Sequence, residues 1–265
     1  MNKLCVTLIM ISLFSIGLEA EEIFSSNGLG NEAVYYSCPP SACFSCDPCG
    51  RHFYVGLDGG WAIGLGYADR VKNVGGGNTT TAYNAYARSG YHVGGNLGCR
   101  WNCLLRTDLS YTYLKPHSYK WRADTPSGPL GIRFDSRLHS HLILFNTYLH
   151  LNGLSCFFPC LDPYITGGIG VAINHLDRIR EIVPASVANI QSSTQTHFGA
   201  RLGIGAMKRF SRCWVVDGGF NANYIGRVAS DNRRTNANGT LDIIGPYHFE
   251  NNWVGTFYLG VKRIF

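Results

Sequence analysis

Apolar and polar side chains alternate most regularly in residues 251–265. Every second residue places one largely apolar set, with aromatic residues at both ends, on one face: Trp253, Gly255, Phe257, Leu259, Val261, Arg263 and Phe265. The other face carries Val254, Thr256, Tyr258, Gly260, Lys262 and Ile264. A repeat of two residues is the repeat of a β-strand. An apolar face opposite a mixed polar face predicts a strand with lipid on one side and a polar lumen on the other.

The same repeat recurs in earlier segments, so the pattern predicts eight strands in all. The earlier segments are residues 52–63, 83–97, 105–113, 139–151, 164–174, 197–204 and 214–224. In the fourth segment the register stays open, because residues 142–145 are apolar on both faces. The expected fold is all-β, an eight-stranded antiparallel up-and-down transmembrane β-barrel over residues 51–265.

The connections between these segments alternate in length. Long polar stretches cover residues 65–81, 116–133, 175–195 and 227–245, whereas residues 98–103, 152–162 and 210–213 form short turns. Barrels of the bacterial outer membrane keep short turns in the periplasm and long loops outside the cell. We therefore expect both termini of the barrel on the periplasmic side.

Residues 1–20 have the composition of a secretory signal peptide. Lys3 precedes an apolar run over residues 4–18, and Ala20 precedes two glutamates. The run of about fifteen residues is shorter than the roughly twenty that a membrane-spanning helix needs. We expect cleavage after Ala20 and export of the remaining chain.

Composition agrees with a barrel but does not require one. The chain holds 32 Gly, 15 Tyr and 14 Phe, with 15% charged residues and a mean hydropathy of −0.03. Alternation dilutes apolar residues in this way, although a globular β-sandwich could share the composition. The net charge of +6 is compatible with anionic lipopolysaccharide or host polyanions, and equally with a solvated surface.

Nine cysteines remain after removal of Cys5 with the signal peptide: Cys38, Cys43, Cys46, Cys49, Cys99, Cys103, Cys156, Cys160 and Cys213. The first four lie in a Cys-rich periplasmic extension over residues 21–50, and the others lie in or beside the short turns. In an exported chain such cysteines favour disulfides over zinc or iron–sulfur ligation. Cys99 with Cys103, and Cys156 with Cys160, could each close a small loop. The odd total leaves at least one thiol free or joined to another molecule, so we expect cross-links to other Cys-rich envelope proteins.

Charged and histidine side chains occupy the inward positions of the predicted strands: His52, Arg88, His92, Arg106, Asp108, His150, Arg201, Asp217 and Lys262. Eight strands enclose a lumen that side chains can fill. Buried charges must pair, so this set predicts a salt-bridge network that plugs the barrel. The alternative is an ion path or a small gated pore.

Three stretches resemble known outer-membrane proteins. The alternating segment that ends at Phe265 resembles the closing strand of bacterial outer-membrane barrels, whose terminal Phe is a signal for the barrel assembly machinery; Arg263 departs from the usual apolar residue. Residues 51–265, with the Gly-rich segment that begins at Pro163, resemble the eight-stranded outer membrane protein A and opacity-protein families. The CDPC segment, residues 46–49, resembles the N-terminal part of chlamydial-type major outer membrane porins, whose larger strand number does not fit this shorter chain. The resemblance implies the bacterial outer membrane, with its lipid and lipopolysaccharide, as the location.

Candidates for catalysis are few. His117 and Ser118 with Asp124, or His175 with Asp177, could form a rim site of the kind that lipid-modifying barrels use, but no nucleophile motif anchors either set. No ligand spacing predicts a metal site. We therefore expect no enzyme, no catalytic residue, no cofactor, no metal and no nucleic-acid partner.

The long loops carry basic residues among acidic and polar ones: Arg70, Lys72, Lys120, Arg122, Arg133, Arg178, Arg180, Arg227, Arg233 and Arg234. They suggest either a solvated surface or adhesion to an anionic host surface ligand. The expected function is that of a structural outer-membrane surface protein, disulfide-linked in the envelope and with loops available for adhesion. The alternative is a porin with a small channel. A soluble ligand-binding barrel would be polar outside, which the closing segment contradicts.

Overall fold

The computed structural model describes residues 52–65, 71–73, 82–87, 89–125, 128–151, 161–183, 186–211 and 213–265. The predicted signal peptide, the Cys-rich extension and the boundaries at residues 20 and 50 lie outside these residues. So do Arg88, Cys156 and Cys160. Among the described residues, no helix is long and apolar enough to cross a membrane.

The described residues contain fourteen strands. They are β1 (His52–Gly64), β2 (Val71–Asn73), β3 (Ala82–Ala87), β4 (Gly90–Arg100), β5 (Leu105–Thr125), β6 (Gly128–His150), β7 (Asp162–Leu176), β8 (Ile179–Val183), β9 (Ser186–Ile190), β10 (Ser193–Arg209), β11 (Trp214–Ala229), β12 (Arg233–Thr235), β13 (Leu241–Ile243) and β14 (Tyr247–Ile264).

Eight of these strands close a barrel. In chain order β1, β4, β5, β6, β7, β10, β11 and β14 each pair antiparallel with the next. Pairing of β14 with β1, which sets Tyr54 opposite Ile264, completes the circle. The predicted all-β, eight-stranded antiparallel barrel is confirmed.

Side chains alternate between the two sides of the barrel wall as the sequence pattern predicts. In β1, Phe53, Leu57 and Trp61 are exposed while Tyr54 and Ala62 are buried. These outward residues span nine positions, close to the 9–11 residues with which a tilted strand crosses a bilayer. The outer face of the barrel is therefore an apolar belt of membrane-spanning height.

The open register of the fourth predicted segment is settled in β6. Leu142 and Leu144 point inward and are fully buried, whereas Ile143 and Phe145 are exposed on the outer wall. Both faces are apolar here because one faces the belt and the other enters an apolar layer inside the barrel. That inner layer comprises Ala62, Leu114, Phe134, Leu138, Leu142, Leu144, Ala172, Leu176, Ile179, Ile190, Ile225, Val228, Phe249 and Val254.

Several predicted boundaries are wrong. Residues 116–133, expected to be a loop, are mostly strand, because β5 runs to Thr125 and β6 begins at Gly128. The predicted strand over residues 83–97 is divided into β3, which pairs with β5, and β4, which belongs to the barrel. Continued pairing gives partners to backbone groups that a long loop would leave unpaired.

Further short strands extend the sheet at the long-loop end, where β5 joins β6. Strand β8 pairs with β6, β9 with β8, and β12 with both β9 and β13. Residues 175–195, predicted as a loop, therefore belong largely to this loop-end sheet. At the opposite, short-turn end, β4 joins β5 and β10 joins β11.

Candidate functional site

The lumen near the short-turn end holds a cluster of buried charges. Period-two alternation turns Arg106 and Asp108 of β5, Asp217 of β11 and Lys262 of β14 inward, and each is at most 5% exposed. These strands are not all neighbours, so curvature of the wall brings their side chains together. These four residues are the part of the predicted interior network that lies nearest the short-turn end.

Asp217 is the acceptor at the centre of this cluster. Its carboxylate receives hydrogen bonds from the Lys262 ammonium group and from the Tyr164 hydroxyl. The Arg106 Nη2 atom lies 3.8 Å from the Asp217 Oδ2 atom. One carboxylate thus serves two cations, which makes it the main compensating charge of the layer.

Arg106 is held chiefly by aromatic faces. Its guanidinium carbon lies 3.8 Å from the ring centroid of Tyr148 and 4.9 Å from that of Tyr164. Its Nη1 atom also donates to the Met207 sulfur at 3.3 Å. Cation–π contacts replace the hydrogen bonds that its Nε and Nη2 atoms lack.

Asp108 and Arg201 complete the network by contacts between different strands. Asp108 accepts from the Tyr54 hydroxyl at 2.9 Å and from Asn146 Nδ2 at 2.7 Å. Arg201 Nε donates to Asn223 Oδ1 at 2.7 Å, and its Nη2 donates to Thr112 Oγ1 at 3.0 Å. Because β10 and β5 are not adjacent in the barrel, the Arg201–Thr112 hydrogen bond crosses the lumen.

The three predicted interior histidines lie apart from one another. His92 is buried with its Nε2 atom 3.5 Å from Asp58 Oδ1. His150 is buried with its Nδ1 atom 2.8 Å from Asp162 Oδ1. His52 is half-buried and lines a small cavity at the short-turn end. Arg88, the remaining predicted member of the network, lies outside the described residues.

A small cavity borders the charged cluster. The cavity that Tyr54, Arg106 and Lys262 line has a volume of about 30 Å³. That volume holds one or two water molecules. Above it lies the apolar layer described for the fold, so a polar layer and an apolar layer fill successive levels of the lumen.

A second polar cluster lies on the outer wall near the long-loop end. The Nε2 atom of His139 lies 3.1 Å from Asp177 Oδ2, and that of His175 lies 3.4 Å from Asp177 Oδ1. The Nδ1 atom of His139 contacts the Tyr113 hydroxyl at 3.0 Å, and that of His175 contacts Thr194 Oγ1 at 2.7 Å. The structure thus brings together the predicted pair of His175 and Asp177, and adds His139. The side chains of His117, Ser118 and Asp124 are not among those described.

An open groove of about 500 Å³ borders this cluster. We call it the rim groove; it is lined by Asp135, Ser136, Arg137, His175, Asp177, Arg178, Arg180 and Ser192. The arginines are exposed. Within the described part of the chain, no group of three or more His, Cys, Asp or Glu side chains could hold a metal ion.

An ion pair joins two strands of the loop-end sheet. Glu181 of β8 is buried, and its Oε2 atom lies 3.1 Å from the Arg234 Nε atom of β12 without hydrogen-bond alignment. Burial raises the pKa of Glu181, while the Arg234 charge opposes the shift. Burial, assisted by the Glu181 charge, also raises the pKa of Tyr247 to about 12.

The described cysteines differ in state. Cys99 carries a free buried thiol, Cys213 carries a free exposed thiol, and Cys103 is in a disulfide. The small loop that Cys99 and Cys103 could close is therefore absent. In β4, Cys99 shares the outward parity of Val93 and Leu97 but is only 8% exposed, and its Sγ atom contacts the Arg100 carbonyl at 3.6 Å. The cysteines of the N-terminal extension, like Cys156 and Cys160, lie outside the described residues.

The interior network predicted from the sequence left out the tyrosines and leucines of the lumen. Tyr54, Tyr148 and Tyr164 contribute the aromatic faces around Arg106, and Leu142 with Leu144 contributes to the apolar layer. Their inward parity was readable from the same repeat of two. The contacts between strands were not readable, because they depend on barrel stagger.

Comparisons with known proteins concern the architecture. No protein-family model matches the chain, and no curated protein matches it. Among solved structures it is similar to the Neisserial surface protein A, with 20% identity and a TM-score of 0.45, over 82% of this chain and 99% of that chain. A major outer membrane protein from Thermus thermophilus is 12% identical, with a TM-score of 0.46, over 82% and 100%. The outer membrane protein OprG from Pseudomonas aeruginosa is 12% identical, with a TM-score of 0.45, over 80% and 95%.

Proposed function

We propose that the chain is an outer-membrane barrel with a sealed lumen that serves as a structural surface protein. The filling of the lumen at two successive levels carries this proposal. Charged and aromatic side chains around Arg106 occupy the level near the short turns, and leucines around Leu144 occupy the next level. A porin needs a continuous aqueous path, so this packing argues against the porin alternative.

The outer wall supports a membrane location. Its exposed apolar side chains, among them Leu57, Phe198, Leu202, Phe257 and Leu259, would be costly in water and are suited to lipid. With the short turns in the periplasm, the loop-end sheet would face the cell exterior. Its exposed basic residues then offer a surface for adhesion to an anionic ligand.

Attachment within the envelope follows from the cysteines. The exposed Cys213 thiol lies at the short-turn end, in the connection between β10 and β11. Together with the odd number of cysteines after residue 20, it supports a disulfide to a neighbouring Cys-rich protein. Nonreducing gels of native envelopes should show a species larger than the monomer that Cys213→Ser removes. A monomer alone in both would contradict this attachment.

Planar-bilayer conductance tests the sealed lumen. The chain is refolded in detergent and accepted only if its gel mobility shifts on boiling, as folded barrels commonly do. We expect no stepwise channels from the wild type. A variant that empties both levels, Arg106→Ser with Tyr148→Gly, Leu142→Gly and Leu144→Gly, should conduct if it still folds.

The matched control removes bulk from the outer wall instead. Ile143→Ala with Phe145→Ala changes the lipid-facing side of the same strand and should stay silent. Reproducible stepwise channels from verified wild-type barrel would overturn the sealed lumen and establish the porin alternative.

A further inference from the structure

Below the rim groove, the polarity of the outward side chains changes progressively along β6. Along β6 the outward positions are Phe145, Ile143, His141, His139 and Arg137, each about 7 Å from the next. Phe145 and Ile143 are 54% and 42% exposed. The wall therefore passes from apolar through hydrogen-bonding to cationic, as a lipid does from acyl chain to charged headgroup.

The two histidines in the middle of this series, His139 and His141, already have hydrogen-bond partners within the protein. The Tyr111 hydroxyl lies 2.8 Å from His141 Nδ1, and the Tyr113 hydroxyl lies 3.0 Å from His139 Nδ1. Asp177 is engaged by His139 and His175. The Asp177 carboxylate, in the connection between β7 and β8, is thus already occupied.

The three arginines of the groove are available to bind a ligand. In the described part of the chain, no ion pair or side-chain hydrogen bond involves Arg137, Arg178 or Arg180. The other carboxylate of the groove, Asp135, lies opposite Arg180 in the pairing of β6 with β8. Three guanidinium groups therefore face two carboxylates, and the groove keeps a positive balance.

The lining and the volume of the groove limit the class of ligand that it can bind. Guanidinium groups bind phosphate oxygens through two parallel hydrogen bonds. A volume of about 500 Å³ exceeds the size of one phosphate and lies in the range of small-molecule sites. A saccharide that carries phosphate fits, and the exposed Ser192 at the groove can bond its hydroxyl groups.

We propose that the rim groove binds the phosphorylated saccharide headgroup of a lipid in the surrounding outer leaflet. The groove opens on the same wall as the apolar belt, so a lipid whose acyl chains lie against Ile143 and Phe145 reaches the arginines from the side. A soluble polyanion would not use that continuity. This proposal rests on the proposed outer-membrane function and gives it a defined lipid partner.

Binding to the refolded full chain in detergent micelles tests it. The probes are lipid A with two phosphates, the same lipid with its phosphates removed, a soluble sulfated oligosaccharide and inorganic phosphate. Native mass spectrometry measures each apparent Kd. We expect the bisphosphorylated lipid to bind at least about tenfold more tightly than the other three probes.

Variants locate the site. Arg137→Gln with Arg178→Gln and Arg180→Gln should weaken binding of the bisphosphorylated lipid by about tenfold or more, whereas Lys at the three positions should retain most of it. The control has the same loss of charge at the short-turn end, away from the groove: Lys208→Gln with Arg209→Gln and Arg263→Gln. It should bind as the wild type does.

Three outcomes would overturn the proposal: equal affinity for the lipid without phosphate, equal loss in the control variant, or equal affinity for the soluble oligosaccharide or inorganic phosphate. All variants must show the mobility shift on boiling. Conductance is measured separately, so channels in the bilayer would refute the sealed lumen without affecting the binding result.

Discussion

Single residues in the lumen connect parts of the wall that the backbone does not join. Arg106 of β5 approaches Asp217 of β11, and Arg201 of β10 donates to Thr112 of β5. Each contact bridges strands that share no backbone ladder. The buried charges therefore stabilise the cross-section of the barrel as well as filling it, and loss of one group leaves the others without compensation.

Asp217 is the residue at which this dependence is greatest. Asp217→Asn keeps the side-chain size but leaves Arg106 and Lys262 buried beside a neutral group, so we expect the free energy of unfolding to fall by about 3–5 kcal/mol. Urea unfolding of the barrel in lipid vesicles measures the change. Asp242→Asn, at an exposed carboxylate that accepts from Asn236, should stay within about 0.5 kcal/mol. Equal losses in the two variants would contradict the role of the buried pair.

Gly226 marks the irregular part of β11. Its φ of 78° falls between two register shifts, and an added Cβ would lie 2.6 Å from the His197 Cβ. Gly239 has a φ of 82° but nothing within 4 Å of an added Cβ. Gly239→Ala should therefore cost only the backbone term, about 1–2 kcal/mol. Gly226→Ala should cost more in the same urea experiment, and an equal cost would show that the bulge yields to the clash.

Among the elements, the loop-end sheet is held over the barrel by buried contacts of mixed kind. Ile179 of β8 and Ile190 of β9 enter the apolar layer, while Glu181 of β8 pairs with Arg234 of β12. The apolar contacts are insensitive to pH. The glutamate is sensitive, because burial disfavours its charged form.

This arrangement predicts a pH dependence with a definite sign. The pKa of Glu181 is raised above its ordinary value of 4.5, so its contribution to stability is complete below that value and is lost as pH rises through the folded-state pKa. The Tm of Glu181→Gln minus that of the wild type should therefore increase between about pH 4 and about pH 7. In Arg234→Gln, the pH at which Glu181 loses its contribution to stability should be higher than in the wild type, because the arginine charge opposes the rise in the pKa of Glu181. A Tm difference that does not change with pH would refute this account.

At this scale the sequence predicts the barrel strands well and the loop-end strands poorly. A strand between lipid and lumen must alternate, and Phe53 to Trp61 does so because each face has a different solvent. Strands β8 and β9 have five residues each, too few for a clear repeat, and their inward residues follow the shape of the barrel mouth. Residues 116–133 were read as a loop because their polar composition resembles one, whereas pairing across the hairpin decides their structure.

For the interior site, the sequence predicts which residues face inward but not which of them meet. Parity alone places Arg106, Asp108, Asp217 and Lys262 inside. The choice of Asp217 as partner of both cations depends on the stagger between strands, which no local pattern encodes. Cys99 shows the same limit, since its nearness in sequence to Cys103 suggested a disulfide, whereas its thiol is free and buried.

For the whole molecule, the orientation in the membrane is open to a direct test. The exposed Cys213 thiol lies at the short-turn end, which we expect in the periplasm. On intact cells that have been reduced and washed, a membrane-impermeant maleimide should leave the Cys213 peptide unlabelled, and permeabilisation should allow labelling. Peptide mass spectrometry identifies the site.

The control for orientation uses the opposite end. Ile243 of β13 is 86% exposed in the loop-end sheet, so Ile243→Cys should be labelled on intact cells. Labelling of Cys213 on intact cells, with protection at residue 243, would reverse the orientation. Cys99 should remain unlabelled until the barrel unfolds, because its thiol is buried.

The pairing of β1 with β14, the seam of the barrel, has a consequence for how the chain folds. It joins positions about 200 residues apart in the chain, such as Tyr54 and Ile264. Every other barrel pairing is between consecutive barrel strands, whereas the seam needs the first and the last barrel strand together. Until they meet, two strand edges and an apolar face stand open to aggregation. Until the seam forms, the chain therefore needs protection from aggregation, and formation of the seam removes the exposed edges in a single step.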